Sequence, residues 1–178
     1  MNEDPRLSEG LEVCASPPGS AAGTLGNGVY AALDLGTNNC RLLIASPAGD
    51  SFRVVDSFSR IIRLGEGISA TGSISEAAIG RAIGALSICS DKIRYRKAKR
   101  LRLIATEACR AAANAESFRA RVVAETGIQL EVIDRETEAT LAVIGCSPLL
   151  DAKGRGAILF DIGGGSTELV RIERDPAE

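Results

Sequence analysis

Two short segments carry the residue types that chemistry could use. In "AALDLGTNNCRLLIA" and "ILFDIGGGSTELVRI" an apolar run leads to Asp, one apolar residue and Gly, then a polar or Gly-rich turn and a second apolar run. Asp34 and Asp161 stand at the same point of each. A turn of Gly, Ser, Thr and Asn presents successive backbone N–H groups, which form an anion nest. Hydroxyl and amide side chains add neutral donors. A carboxylate beside such a nest repels a bare phosphate but suits Mg2+ or its waters, which take oxygen ligands. Asp161 and Glu168 could be such ligands. The plainer reading is a pair of hairpins whose aspartates cap their turns. Three consecutive glycines, Gly163 to Gly165, weaken any strand or helix, so something must approach that backbone closely. The segment is not a Walker loop, because GxxxxGK[ST] is absent and no lysine follows the glycines. Nor is it a dinucleotide fingerprint, because "GGGST" leads into a strand-like "ELVRI" rather than an amphipathic helix.

The rest of the composition narrows the chemistry. The 178 residues include no histidine. That removes His-based triads and zinc sites and the commonest general base. Carboxylates, lysine, cysteine or an oxygen-held metal remain. The five cysteines form no CxxC pair and their number is odd, which argues against a disulfide framework and for a reducing cytoplasm. They read as small hydrophobes. A net charge of −2 and 3% aromatics speak against nucleic acid as a partner. No apolar run reaches the length of a membrane span. The N-terminus, "MNEDPRLSEG", lacks the apolar core of a secretory signal.

Strands and helices must position these segments. Residues 1–27, rich in Pro, Gly, Ser and Ala, predict a disordered tail. "VYAALDL" and "CRLLIAS" predict a hairpin about "GTNN", with "PAGD" as the next turn. "SFRVVDSFSRIIRL" predicts one or two strands and "GEGISATG" a loop. Ser73 and Glu76 have capping-box spacing, and Ile79, Ile83, Leu86, Cys89 and Ile93 follow on one helical face. The helix runs into seven basic residues among the eleven from Lys92 to Arg102. These read as a solvated helix end, or more sharply as an anion-attracting patch. "RLRLIAT" predicts a strand. A helical region from Glu107 breaks at Asn114 and stops at Gly127. "IQLEVI" predicts a strand, Asp134 caps a helix over "RETEATLAVIGC", and "GAILFDI" predicts a buried strand before "GGGS" and "TELVRIE". Alternating strands and helices give an α/β class.

The pieces "ALDLGTNNCRLLIA", "RIIRLGEGI", "ATEACRAAANAESF", "VIDRETEATL" and "FDIGGGSTELV" together resemble the Ppx/GppA family of exopolyphosphatases and guanosine pentaphosphate phosphohydrolases. That family lies within the actin, sugar kinase and chaperone ATPase superfamily. The match spans about Val29 to Glu173. The resemblance implies a ribonuclease H-like (actin-like ATPase) domain with a mixed five-stranded sheet over residues 28–137. Residues 138–178 would begin a second similar domain, truncated here, with exposed strand edges and an uncovered apolar face. It implies Mg2+-assisted release of terminal phosphate from polyphosphate or pppGpp, in the cytoplasm, and admits a homodimer of the full-length form. Carried over by motif, Glu138 is the catalytic glutamate that activates water. Arg110 binds substrate phosphate. Gly163, Gly164, Gly165, Ser166 and Thr167 form the second domain's phosphate loop, and Thr37 and Asn38 the first domain's. Asp161 and Glu168 are the acids near the metal. An ATP-dependent kinase of the same superfamily and a non-catalytic polyanion-binding module are the competing readings.

Overall fold

The computed structural model describes residues 28–49, 51–151, 154 and 156–173. The tail expected over 1–27 and Cys14 lie outside them. Among these residues seven strands and five α-helices follow in chain order, with a short 3-10 helix (Ser147–Leu149) after the last of the helices: β1 (Tyr30–Leu35), β2 (Asn39–Ala48), β3 (Ser51–Ile61), α1 (Ile68–Thr71), α2 (Glu76–Tyr95), β4 (Arg100–Ala105), α3 (Glu107–Ala111), α4 (Ala115–Thr126), β5 (Glu131–Val132), α5 (Arg135–Cys146), β6 (Gly156–Ile162) and β7 (Thr167–Glu173).

Strands β1 to β5 form one sheet in the order β3-β2-β1-β4-β5. β1 runs antiparallel to β2 and parallel to β4, and β4 runs parallel to β5. The sheet is therefore mixed, as expected. Strand side chains alternate between faces. One face carries Ala31, Leu33, Leu35, Cys40, Leu42, Ile44, Leu101, Leu103 and Ala105, all buried. Its cover is α2, whose Ile79, Ile83, Leu86, Cys89 and Ile93 are buried too, with α4 beside it supplying Phe118 and Val122. The opposite face carries Asp34, Arg41, Arg102 and Ile104 and is only partly covered.

Local signals hold where they are local. Asp134 caps α5, its side chain accepting from Thr137 N at 2.7 Å. Gly127, at φ 71°, ends α4. The expected break at Asn114 separates α3 from α4. There Asn114 Oδ1 accepts from Ile74 N at 2.8 Å, and its Nδ2 donates to Ile74 O at 2.9 Å. That clip corrects the expected cap of α2. The cap is Ser75, whose side chain accepts from Ala78 N at 3.2 Å. Ser73 instead donates its backbone N–H to Thr71 Oγ1 and precedes the clipped residue.

Three further expectations change. The loop "GEGISATG" contains the one-turn helix α1, flanked by Gly67 and Gly72 at positive φ. "IQLEVI" contributes only a two-residue strand, because Ile128, Leu130 and Ile133 fill the core from outside the ladder. The strand expected to be buried, β6, is exposed. Its Ile158, Phe160 and Ile162 are 62%, 67% and 77% accessible, since among the described residues β6 pairs only with β7, in a separate two-stranded sheet.

The basic run is largely used inside the fold. Lys92 and Arg96 both reach Asp56, at 2.8 and 2.9 Å. Arg102 pairs with Glu131, and Arg100 stacks on Tyr30. Cys40, Cys89 and Cys109 are free and buried, and Cys146 is free and half-buried. Among the described residues no helix is long and apolar enough to cross a membrane.

Candidate active site

The first turn, Gly36–Asn38, joins β1 to β2. Gly36 N donates to Asn39 O at 2.9 Å, closing it. Its carbonyls are tied down from the far side: Asn38 O accepts from Ile62 N and Arg63 N, and Thr37 O from Gly65 N. The carbonyls thus face residues 62–65, and the N–H groups of Thr37 and Asn38 have no acceptor among the described residues. The second turn, Gly163–Ser166, joins β6 to β7 and is closed by Gly163 N to Ser166 O at 2.9 Å. Here the N–H groups of Gly164, Gly165 and Ser166 have no acceptor among the described residues. Unclaimed successive N–H groups are the makings of an anion nest.

The two turns touch. A Cβ on Gly164 would lie 2.9 Å from Asn38 Cβ, and one on Gly165 would lie 2.8 Å from Thr37 Oγ1. Gly65 is pressed against the methyl of the same threonine. The close neighbour of the triple glycine is therefore the first turn itself.

A cavity of about 300 Å³ opens where the turns meet. It is lined by Thr37, Asn38, Gly163, Gly164 and Ser166, and by the acids Asp34, Glu138 and Asp161. Asp34 is held by β1 and Asp161 by β6. Glu138 sits in the first turn of α5, where the helix dipole favours a negative charge. Burial pushes the Asp34 carboxyl above its ordinary pKa of 3.8. Arg41 works against that shift, and the charges of Glu138 and Asp161 add to it. Asp161 is the cross-strand partner of Glu168 in the β6–β7 register.

Glu138 is held from behind by Arg110, whose Nη2 donates to Glu138 Oε2 at 2.8 Å. Burial alone would lower the Arg110 pKa, but its hydrogen bonds to Glu138 and Glu107 prevail and the net shift is upward.

Of the residues singled out by sequence, Thr37, Asn38, Glu138, Asp161, Gly163, Gly164 and Ser166 meet at the cavity. Gly165, Thr167, Glu168 and Arg110 stand beside it without lining it. Arg41 and Thr106 line it and were not singled out, and Asp34 was noted only as a repeat of Asp161. Arg41 was within reach: a hairpin closing on "GTNN" sets Asp34 opposite Arg41, as the register has it. Arg41 also borders an apolar groove along the open sheet face, with Leu43, Phe58, Ile104 and Leu141.

A model described as the Ppx/GppA phosphatase family matches residues 43–178. Exopolyphosphatase 2 of Mycobacterium tuberculosis is 37% identical over 154 residues, covering 82% of this chain and 48% of that protein. The guanosine-5'-triphosphate,3'-diphosphate pyrophosphatase of Photobacterium profundum is 31% identical over 142 residues, covering 80% of this chain and 28% of that protein. Among solved structures, the Aquifex aeolicus PPX-GPPA enzyme superposes with a TM-score of 0.72 at 35% identity, over 82% of this chain and 48% of that one. An exopolyphosphatase from Cytophaga hutchinsonii gives 0.77 at 28% identity, over 82% and 46%. The chain thus spans about half the length, or less, of the relatives it matches.

Proposed function

The chain belongs to the Ppx/GppA phosphatase family, and from that premise we propose that it supplies the hydrolytic centre of an enzyme releasing terminal phosphate from polyphosphate or pppGpp. The observation that carries this reading is the convergence of Glu138 with both turns on one cavity. Phosphoryl transfer asks a protein chiefly for positioning and electrostatics. In this reading the terminal phosphate lies against the N–H groups of Thr37, Asn38 and Gly164, with the hydroxyls of Thr37 and Ser166 as further donors. Gly165 and Thr167 hold the second turn in shape. Arg41, which lines the cavity, supplies cationic donors. Glu138 accepts a proton from water as the water oxygen bonds to phosphorus. The bond from phosphorus to the bridging oxygen breaks, and the shortened chain leaves with that oxygen. Arg110 keeps Glu138 in place and has one N–H left to offer phosphate.

The acids fit Mg2+. Three carboxylates share one cavity, and Asp161 faces Glu168 across the hairpin, an arrangement that is unfavourable without a cation between them. Among the described residues no three acids come close enough to form a complete metal cage. That accords with Mg2+, which is commonly held by one or two carboxylates together with substrate phosphates. Asp161 would hold it together with one of its neighbours, Asp34 in the cavity or Glu168 across the hairpin. When bound, the ion neutralises phosphate charge and stabilises the departing oxygen.

The test is phosphate release by the full-length protein carrying these residues, with polyphosphate and with pppGpp, in Mg2+ and in chelator. Release from either substrate that stops in chelator supports the reading. Inertness to both, with turnover of ATP on a sugar or acetate acceptor, would replace it with a kinase.

A further inference from the structure

We propose that Glu107 is a positioning residue for this centre: it clamps the Arg110 guanidinium and thereby fixes the carboxylate of Glu138. The inference rests on the reading of Glu138 as the base. Glu107 is not among the residues lining the cavity, so any influence it has must pass through another side chain.

The path is a chain of bonds. Glu107 Oε2 accepts from Arg110 Nε at 3.2 Å and from Nη2 at 2.9 Å. Arg110 Nη1 donates to Ile133 O at 2.7 Å, and the remaining bond from Nη2 goes to Glu138 Oε2 at 2.8 Å. Four of the five guanidinium N–H donors are thereby placed. Two of those four bonds end on Glu107. Arg110 is Glu138's one hydrogen-bonding side-chain partner among the described residues. What aims Glu138 is therefore the orientation of one guanidinium plane, and Glu107 sets that plane.

The pairs are shielded. The side chains of Glu107, Arg110 and Glu138 are only 17–18% accessible, so these bonds are less weakened by water than surface pairs. Glu107 is also held from outside, since Arg135, the first residue of α5, donates from Nη2 to Glu107 Oε1 at 3.0 Å. Glu107 opens α3 and Glu138 lies on α5, so the clamp ties the two helices at the point where the base is presented. A fixed guanidinium costs nothing to reorganise at the moment of reaction, which is where preorganised groups act.

The clamp predicts a kinetic signature distinct from loss of folding. In the full-length enzyme, Glu107→Gln should lower kcat by about 10–100-fold, a larger change than the rise in KM that a loosened Arg110 brings. Glu107→Asp should recover part of the loss. A second readout needs no turnover: the Arg110 Nε–H resonance should exchange slowly with water in the wild type and quickly in Glu107→Gln. Wild-type kcat in Glu107→Gln with an unchanged Arg110 signal overturns the clamp and leaves the hydrolase reading standing. A kcat loss accompanied by an equally lowered melting temperature, and no recovery in Glu107→Asp, overturns it in favour of a purely structural role. Should the wild type release no phosphate from either substrate, the hydrolase reading falls, and the positioning role of Glu107 falls with it whatever the resonance shows.

Discussion

The Cβ that Gly164 lacks would stand 2.9 Å from the Cβ of Asn38 and 3.3 Å from its backbone nitrogen. Neither atom can swing aside as a side-chain tip can. Gly164→Ala should therefore force the two turns apart and lower kcat/KM by about 10–100-fold. Gly165→Ala should be milder, because it meets the side chain of Thr37. Steady-state phosphate release by the two variants checks this order.

Glu138→Gln keeps the shape of the side chain and an acceptor for Arg110 but removes the base. The expected loss in kcat is about 10²–10⁴-fold, with polyphosphate binding retained. Equilibrium binding and single-turnover measurements separate the two effects, and wild-type turnover would remove Glu138 from its role.

Asp34 opposes folding in its charged form. Its folded pKa lies above the ordinary 3.8, first because of burial. A carboxyl raised in the folded state contributes stability below its unfolded pKa, and that contribution is lost as pH rises through the folded value. Asp34→Asn should therefore melt about 2–5 °C higher than wild type near neutral pH, with the advantage closing towards pH 3.8. The variant should lose activity, and Mg2+ should no longer raise its melting temperature. Thermal melts with Mg2+ and with chelator test both parts.

Asp56 has the opposite sign. Hydrogen bonds from Lys92 and then Arg96 lower its carboxyl to about 2. Its contribution is present above the ordinary 3.8 and is lost as pH falls through about 2. Asp56→Asn should therefore melt below wild type at neutral pH, and the gap should narrow in acid. Asp56 faces α2 and not the cavity, so kcat should not move. A pH series of melts, beside one activity assay, decides it.

Sequence legibility follows the range of the interaction that decides each feature. Leu33 and Leu35 alternate with Asp34 in β1, and that alternation depends on neighbours alone. The Asp134 cap and the Gly127 stop are equally local. Ser73 and Ser75 offer almost equal caps, and the choice falls to Ser75 through the clip that Asn114 makes on Ile74, 40 residues before it. The apolar run of β6 expresses a preference for burial, while burial itself depends on what packs over it. Asp34, Asp161 and Glu138 were each visible as acids, but their meeting in one cavity joins two sheets and a helix. Arg41 is the intermediate case: it stands inside "AALDLGTNNCRLLIA" and the hairpin register sets it opposite Asp34, yet a single arginine in an apolar strand carries no signature of its own.

The separateness of the β6–β7 hairpin sets a timetable. Residues 30–132 complete their own sheet, and among the described residues the hairpin pairs only with itself. A chain emerging from the ribosome folds N-terminal part first, so the body can settle before Gly163 has been synthesised. The cavity wall carrying Asp161 and Ser166 is made after the sheet that carries Asp34. A chain interrupted between α5 and β6 would keep every residue of the buried core and lose the cavity wall that carries Asp161 and Ser166. Packing of the first sheet and completion of the cavity are therefore separate steps, taken in that order.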